Sequence, residues 1–492
     1  MAAAAALGVA ELVAIFTGPQ SAPLVAVGGV VIDSVPGSVK DLAVKIFFTY
    51  DKVALISGTL VLLALFAAGF GILGVRRIGW GLAGVGVFGL VGLSAAVTRH
   101  AAGPGAVFPT LIGTGVGALV LVRLVRLINE PPGEAASGDA RRQFLRFAGG
   151  TLVGAVIVGV ASRYFATGRN VKADRAAVKL PAPVSPAPTL PPDVAAGIQD
   201  LSPFVTSNGD FYRIDTALVV PEVAAATWTL KIHGRVKTPL TLTYQQLLAR
   251  PMVERFVTLT CVSNEVGGSL ISNARWLGVP IKDLLDEVEP LDGADQVVSR
   301  SVDGFTAGTP TEALRDGRDA ILAVGMNGEP LPIEHGYPVR MVVPGLYGYV
   351  SATKWLAEWE LTSFADFDAY WISRGWSQQA PIKTESRIDT PRDGATRNRG
   401  QVVIAGVAWS QHRGISKVEV RIDDGDWQAT KLADVPSIDT WRQWSYAWSA
   451  APGKHHVTVR ATDNAGALQD TQVAPPDPDG ASGLHMIQVD VT

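Results

Sequence analysis

Cysteine is nearly absent from this sequence: Cys261 is the only one in 492 residues. A single cysteine excludes a disulfide framework within the chain. It also cannot build a zinc or iron–sulfur site unaided, because those sites take several cysteine or histidine ligands. The sequence has no CxxCH motif, and His100 is the only histidine before residue 167. Haem held between two histidines in the N-terminal part is therefore disfavoured.

Charged residues are also scarce, at 18% of the chain, and the formal net charge is only −3. A weakly acidic chain with a pI near 6.2 gives no electrostatic reason to expect a nucleic-acid partner. The mean hydropathy of +0.24 is high for a wholly soluble protein. Almost all long apolar runs lie before residue 167. The composition therefore predicts a membrane part followed by a soluble part large enough for two domains.

Four apolar runs have the length that a bilayer requires, about 20 residues: 53–75, 79–97, 107–127 and 147–165. A shorter run, 2–16, carries Glu11, which is either a functional carboxylate in lipid or a residue in water at the interface. The run 21–35 is compatible with a re-entrant or interfacial segment. We count five transmembrane helices over residues 1–166.

Arginines set the predicted orientation of these helices. Arg76 and Arg77 lie between the second and third helices, and five more arginines lie between the fourth and fifth. Because basic loops stay in the cytoplasm, everything after residue 166 is expected on the extracytoplasmic side. The segment 141–146, RRQFLR, resembles a twin-arginine export signal, and two cytoplasmic anchor arginines beside a helix explain it equally well.

Two glycine triplets in the apolar runs spell the dinucleotide-binding fingerprint, Gly69-x-Gly71-x-x-Gly74 and Gly84-x-Gly86-x-x-Gly89. That fingerprint needs a preceding strand and a following helix in a βαβ unit, which neither triplet has. Small residues in a membrane helix predict close helix packing instead.

The soluble part divides into a linker, 167–200, and two domains, 201–396 and 397–492. The linker contains a Pro/Ala-rich spacer, 179–194, which is typical of an extended segment. Apolar runs and short helical patterns predict an α+β domain first. Its strands are expected at 228–233, 256–260, 296–301, 321–324, 339–343 and 355–362, and its helices at 243–249 (capped by Thr241 or Thr243) and 281–287.

The last domain alternates apolar and polar residues over 401–409, 416–422, 441–448, 454–462 and 484–491. Asp423-Asp424-Gly425 is typical of a hairpin turn, because glycine tolerates the positive φ such turns need. Strands at this spacing favour an immunoglobulin-like sandwich.

Cys261 ends the apolar run 256–259 and is followed by a Ser/Asn/Gly-rich loop. By itself this placement fits either a buried structural cysteine or a thiolate ligand to a soft or high-valent metal. A cofactor would have to bring the remaining sulfur ligands of such a metal.

Further motifs along the chain decide whether Cys261 is interpreted as a structural cysteine or as a metal ligand. The cysteine loop is followed by Asn273-Ala274-Arg275-Trp276-x-Gly278-Val279, and later by HGYPVR at 335–340, VPG at 343–345 and Lys354-Trp355. In order and spacing these motifs resemble the molybdenum–pterin domain of the sulfite oxidase family. Residues 397–492, with Ala408-Trp409-Ser410 and Asp424-Gly425-x-Trp427, resemble the dimerisation domain that follows it in that family.

The resemblance implies a molybdenum–molybdopterin cofactor, with Cys261 as the thiolate on molybdenum and two sulfurs from the pterin dithiolene. His335, Arg340 and Lys354 fall on positions that hold the pterin, and Arg340 suits a bidentate phosphate contact. The remaining positions implied to contact the cofactor are Tyr212, Asp215, Thr216, Asn264, Asn273, Thr309 and Ser351. Arg213 and Arg413 are the implied substrate-side cations, Arg213 one residue out of register and Arg413 after a one-residue gap.

The sequence departs from the family beside the cysteine. Sulfite oxidases place arginines four and five residues after it, and here those positions hold Glu265 and Val266. The family's active-site tyrosine is replaced by Phe305 or Thr306. A carboxylate and a valine do not attract an anion, so sulfite is a poor fit.

We therefore predict a membrane-anchored oxidoreductase that transfers an oxygen atom to or from a small neutral or zwitterionic substrate, sulfoxide reduction being one option. Electrons are expected to pass to or from a separate electron-transfer protein or respiratory complex, and the last domain could form a homodimer. The alternatives are sulfite oxidation proper and a non-catalytic membrane-complex subunit that retains the pterin fold.

Overall fold

The structure, a computed structural model, describes residues 1–34, 51–98, 105–129, 137–166, 169–190 and 197–492. These residues form two compact units. The helical unit contains Met1–Asn170 and Thr216–Glu222, and the second unit contains Val171–Asp215 and Val223–Thr492.

The described helices of the helical unit are Ala2–Thr17, Pro23–Ser34, Asp51–Arg76, Ile78–Thr98, Phe108–Asn129 and Ser137–Ala166. Three segments are long and apolar enough to cross a bilayer: Leu55–Arg76, Ile78–Thr98 and Phe108–Asn129. They coincide with three of the five predicted spans. The run 2–16 forms a shorter apolar helix. The run 147–165 and the arginine motif 141–146 lie within one helix, Ser137–Ala166.

The glycine triplets lie inside helices, which is incompatible with a phosphate-binding turn between a strand and a helix. A Cβ atom at Gly74 would lie 3.1 Å from the Cα of Gly81, and one at Gly84 would overlap the ring of Phe70. Gly74 and Gly84 therefore serve close helix packing, whereas Gly69, Gly71 and Gly86 have open space at the Cβ position.

The first domain of the second unit contains two sheets. One has the strand order β2-β1-β10-β5-β6, and the other has the order β3-β4-β7-β8, with β9 paired to β7. The strands are β1 Thr229–Gly234, β2 Leu240–Thr243, β3 Val253–Thr260, β4 Ile271–Pro280, β5 Gln296–Ser301, β6 Thr306–Pro310, β7 Ile321–Met326, β8 Glu329–Pro330, β9 Arg340–Val342 and β10 Leu356–Thr362. The helices are Arg169–Ala177, Tyr244–Leu248, Ile281–Val288 and Gly348–Ser351.

All six strands and both helices predicted for this domain are present, and Thr243 caps Tyr244–Leu248 through a capping box with Gln246. Four strands were not predicted: β2, β4, β6 and β8. The α+β class is confirmed.

The second domain is a sandwich of two sheets, β11-β13-β17-β16 and β12-β19-β18-β14-β15. Its strands are β11 Glu385–Thr390, β12 Ala395–Arg397, β13 Gly400–Trp409, β14 Ile415–Ile422, β15 Gln428–Ala429, β16 Lys431–Leu432, β17 Arg442–Ala450, β18 Gly453–Asp463 and β19 Met486–Val491. The five predicted strands are present, and the 423–425 turn follows β14 in its hairpin with β15.

The predicted boundary at 397 needs correction, because β11 lies before it yet pairs with β13 over Glu385–Thr390. The sandwich therefore begins no later than Glu385. Strand β13 also joins the two domains: Val407 and Trp409 belong to the core of the first domain, whereas Ala408 belongs to the core of the sandwich. Alternate residues of one strand thus face the two cores.

Candidate active site around Cys261

Cys261 directly follows β3 and is buried. Its N–H donates to the carbonyl of Leu270 at 2.9 Å, and its carbonyl accepts from the N–H of Asn264 at 3.1 Å. The side-chain oxygen of Asn264 accepts from the N–H of Leu270 at 2.8 Å, which closes the loop. The sulfur is therefore held by a short loop whose backbone groups are bonded to each other.

Burial raises the pKa of the Cys261 thiol, and hydrogen bonds with Ser263 oppose this shift only in part. A thiol that keeps its proton is a poor nucleophile, but a bound metal ion would displace that proton. The described residues contain no group of three or more metal-ligating side chains. The remaining ligands of a metal at Cys261 would therefore come from a cofactor.

Arg340 is buried, with 5% of its surface exposed. Its guanidinium donates only to neutral carbonyl oxygens, those of His335 (3.2 Å), Met341 (3.3 Å) and Ala352 (3.3 Å). Burial lowers its pKa to about 10, so it stays charged at neutral pH. Among the described carboxylates none forms an ion pair with it. A buried charge without a counter-charge is costly, which points to an anionic ligand at this position.

Lys354 and Arg213 meet on one carboxylate. The Lys354 ammonium lies 2.7 Å from Oδ2 of Asp215, and Arg213 Nε lies 2.8 Å from the same oxygen. Burial lowers the pKa of Lys354 to about 8, and Asp215 opposes that shift. Two cations on one carboxylate leave a net positive charge beside Arg340.

His335 is buried and contacts the ring of Phe211 edge-on at 5.4 Å. Its Nε2 lies 3.0 Å from the carbonyl of Asn208. Burial lowers the pKa of His335 to about 4, with Arg340 adding to the effect, so the ring is neutral. A carbonyl can only accept, so Nε2 carries the proton and Nδ1 is free to accept from a ligand.

Tyr212 is half-buried and close enough to the thiol and the guanidinium for both to affect its pKa. Burial raises its pKa above the usual range, Cys261 adds to that shift, and Arg340 opposes it. The structure thus brings seven predicted residues into one cluster: Cys261, Tyr212, Arg213, Asp215, His335, Arg340 and Lys354. A buried thiol beside uncompensated cations fits a cofactor with sulfur ligands for a metal and an anionic phosphate.

Four other predicted cofactor contacts are engaged with the protein itself. Asn273 accepts from the Thr258 hydroxyl at 3.0 Å and donates to the carbonyl of Phe204 at 2.8 Å. Thr309 donates to the carbonyl of Val350 and Ser351 to that of Tyr347. Asn264 closes the cysteine loop, as described above. These contacts hold the four side chains within the loops of the site, and their roles at the cofactor stay predictions.

Thr216 groups with the helical unit, so its role at the cofactor stays a prediction. Arg413 belongs to the loop after β13. Its Nε lies 2.9 Å from Oδ2 of the buried Asp463, and its Nη2 donates to the carbonyl of Ile382 at 3.0 Å and to the Thr384 hydroxyl at 3.2 Å. The one cation predicted from the last domain is therefore neutralised by a carboxylate.

Two residues near the site had no signal in the sequence motifs, Tyr347 and Glu385. The Tyr347 hydroxyl accepts from the N–H of Lys383 at 3.4 Å. Burial raises the pKa of Tyr347 above the usual range, and Glu385, Asp479 and Cys261 all add to that shift. The family's tyrosine is missing at 305–306, but Tyr347, from a different loop, lies close enough to Cys261 for the thiol to affect its pKa.

Comparisons with known proteins agree with this geometry. Residues 217–371 match the family described as oxidoreductase molybdopterin binding domain, and residues 385–459 match the bacterial Ig domain. The chain is 29% identical over 321 residues to mitochondrial sulfite oxidase of Homo sapiens, covering 55% of this chain and 58% of that protein. It is 27% identical over 310 residues to nitrate reductase (NADH) 1 of Oryza sativa subsp. japonica, covering 50% of this chain and 34% of that protein.

The chain thus spans 58% of the length of the first of these curated relatives and 34% of the second. Among solved structures, sulfane dehydrogenase SoxCD from Paracoccus pantotrophus superposes with a TM-score of 0.53 at 23% identity, over 59% of this chain and 82% of that one. At this identity the likeness shows a shared fold.

Proposed function

We propose that this chain, which belongs to the sulfite oxidase family of molybdopterin-dependent oxidoreductases and takes molybdenum–molybdopterin as its cofactor, transfers an oxygen atom to or from a small neutral or zwitterionic substrate. When bound, the cofactor supplies two-electron redox chemistry at a metal with soft sulfur ligands. The observation that carries the substrate class is the charge of the residues beside Cys261.

In this proposal Cys261 ligates the metal. Arg340 and Lys354 neutralise the phosphate of the pterin, with Arg340 able to form two parallel hydrogen bonds to it. His335 offers a neutral ring acceptor, and Asp215 holds Lys354 and Arg213 in place. Tyr212, half-buried near Cys261 and Arg340, would limit the access of water to the thiol.

The substrate side lacks the positive charge that an anion needs. Glu265 is exposed and Val266 is half-buried at the two positions after the cysteine where arginines would be expected. Arg413 is paired with Asp463. Of the two implied substrate-side cations, Arg413 is neutralised by Asp463 and Arg213 is engaged with Asp215. Glu265 adds a negative charge beside the cysteine, so a neutral or zwitterionic molecule is preferred.

We further propose that the apolar helices anchor the protein, with the second unit on the extracytoplasmic side, because basic residues concentrate in the loops assigned to the cytoplasm. Electrons would pass to or from a separate protein, and the sandwich would provide a homodimer contact. The arginine motif 141–146 would act as an export signal for a domain that receives its cofactor before crossing.

The test is metal analysis of detergent-purified protein made in a host that synthesises the cofactor, followed by turnover with dimethyl sulfoxide and with sulfite. We expect about one molybdenum per chain, sulfoxide reduction with a reduced viologen dye, and little sulfite oxidation. Protein without molybdenum would contradict the enzyme assignment and favour a subunit without catalysis. Efficient sulfite turnover that weakens as salt is added would favour sulfite oxidation proper.

Changing Glu265 to arginine tests the charge argument directly. A cation four residues after Cys261 should lower the KM for sulfite roughly 10-fold, since a charge-assisted contact contributes about 1.5 kcal/mol or more. The gain should shrink as ionic strength rises. Asp424→Arg, at the exposed hairpin turn of the sandwich, makes the same change in net charge and should leave sulfite kinetics unaltered. An equal gain in both variants would mean that overall charge, not the cysteine loop, sets the preference.

A further inference from the structure

Glu385 is a buried carboxyl group that the proposed function does not use. It is the first residue of β11, only 4% of its surface is exposed, and its Oε2 has no hydrogen-bond partner among the described residues. A buried polar group without a partner is rare, and it calls for a water, an ion or a functional reason.

The sheet geometry fixes the direction of the Glu385 side chain. Glu385 pairs directly with Trp409 of β13, and directly paired residues in an antiparallel sheet point to the same face. Trp409 packs into the core of the first domain. Arg387, two residues along on that face, donates to the carbonyl of Gly268 in the cysteine loop at 2.7 Å. Glu385 therefore faces the side of the sandwich that covers the cysteine loop.

Two more buried polar groups without partners lie at this end of β13. They are Nε1 of Trp409 and Oε1 of Gln411. The amide nitrogen of Gln411 donates to the carbonyl of Thr258 at 3.0 Å and to the hydroxyl of Thr260 at 3.3 Å, which places Gln411 against the strand that ends at Cys261. Among the described residues, these atoms and Oε2 of Glu385 are thus one donor and two acceptors without partners near the end of β13, the kind of groups that buried water satisfies.

We propose that Glu385 is a proton-relay residue that exchanges a proton with the substrate pocket at Cys261. The inference rests on the proposed function. When a substrate is reduced, its departing oxygen takes two electrons from the carrier protein and two protons, and it leaves as water. Glu385 supplies one of these protons as its O–H bond breaks. Solvent returns a proton to the carboxylate and supplies the second one.

The groups around the carboxyl suit this exchange. Burial raises the pKa of Glu385 to about 8, and Lys383 opposes the shift. Lys383 is itself paired with Asp479, 2.8 Å away, and both side chains are partly exposed, so they mark the outer end of the region. From the loop after β13, Arg413 reaches the neighbouring Thr384 but is paired with Asp463. Arg387, on the same face of β11, is paired with Asp389 at 2.6 Å, and Tyr347 and Cys261 are further titratable groups near this region.

The test compares Glu385→Gln with the parent chain and with Glu385→Asp, all loaded with cofactor. In the parent, kcat for sulfoxide reduction should fall as pH rises through about 8, because the acid form supplies the proton. Glu385→Gln should lower kcat by about 10²-fold and remove this inflection, with KM and molybdenum content unchanged. Glu385→Asp should restore part of the rate and the pH dependence.

A second measurement needs no turnover. The infrared C=O band of a protonated carboxyl should disappear between about pH 6 and about pH 10 in the parent and be absent from Glu385→Gln. The folded chain holds one proton more than the unfolded chain between the usual glutamate pKa and about 8, so parent stability falls as pH rises through that window. The Tm of Glu385→Gln should therefore exceed that of the parent increasingly over the same range.

Glu419→Gln is the matched control. Glu419 is also a buried glutamate of the sandwich, but Lys417 and Arg460 lie within 2.6 and 2.9 Å of its oxygens. This variant should lose stability and keep the parent's kcat profile. An unchanged profile in Glu385→Gln, or no titrating band in the parent, overturns the relay alone. Absence of molybdenum or turnover in the parent overturns the proposed function and the relay with it.

Discussion

Cys261→Ser is expected to lower turnover by more than ~10²-fold, which exceeds the usual effect of changing a residue that only supports a metal ligand. The hydroxyl of serine has nearly the size of the thiol, but a neutral oxygen donor does not replace a soft thiolate on molybdenum. Burial already holds the proton on the Cys261 thiol, and a serine hydroxyl would release its proton far less readily. The measurement is kcat with the best substrate, alongside molybdenum and pterin content of the same preparation.

The fold should survive this change, because the backbone groups of Cys261 close the loop and the thiol adds only its hydrogen bonds with Ser263. We expect a loss of about 1 kcal/mol in the free energy of unfolding, the typical cost of a point substitution. Ser263→Ala removes the hydroxyl that bonds to the thiol and retains the ligand, so it should keep most of the turnover. If Cys261→Ser kept both metal and rate, the metal would have to be held elsewhere and the site assignment would be wrong.

The sequence identified the thiol and its cations because the motifs carry both residue type and spacing. Cys261 ends an apolar strand, and the 335–340 motif delivers His335 and Arg340 on either side of a tight turn. Their mutual distances could not be predicted, since they come from different elements joined only in the fold. The strands of both domains were predictable for a related reason: apolar alternation reports burial of one face.

Strand β4 escaped prediction because its polar residues are buried. Ser272 and Asn273 are almost fully enclosed, and Asn273 is bonded to Thr258 and Phe204. When a strand buries polar residues that are hydrogen-bonded, its sequence does not show the alternation of apolar and polar residues that predicts a strand. Strand β11 escaped for a similar reason, since Glu385 and Arg387 are its inward residues. Because these buried polar residues gave no strand pattern, the domain boundary was predicted too late in the chain and Glu385 was not recognised.

The role proposed for Arg340 predicts that one substitution has a large effect on cofactor affinity and a small effect on stability. Arg340→Met should reduce affinity for the cofactor by about 30-fold or more, because removing one partner of a buried charge pair costs about 2–5 kcal/mol. The unfolding free energy of the cofactor-free protein should change by only about 1 kcal/mol. Methionine gives up hydrogen bonds to three carbonyls, and it also removes a buried charge that no described carboxylate compensates. The cofactor released on heating reports how tightly the cofactor is bound. Denaturant unfolding of the cofactor-free protein gives its unfolding free energy.

Arg300→Met provides the contrast that makes this prediction decisive. Arg300 is also partly buried and packs over the ring of Phe367 at 4.9 Å, but it pairs with Glu358 and Glu360. Its loss takes the arginine away from Glu360 and leaves Glu358 with His233, so stability should fall and cofactor affinity should not. Arg340→Lys should fall between parent and Met, because an ammonium keeps the charge without the paired hydrogen bonds. If Arg340→Met instead unfolded the cofactor-free protein and Arg300→Met did not, Arg340 would be a structural residue. The absence of a carboxylate partner at Arg340 would then not indicate a phosphate-binding site.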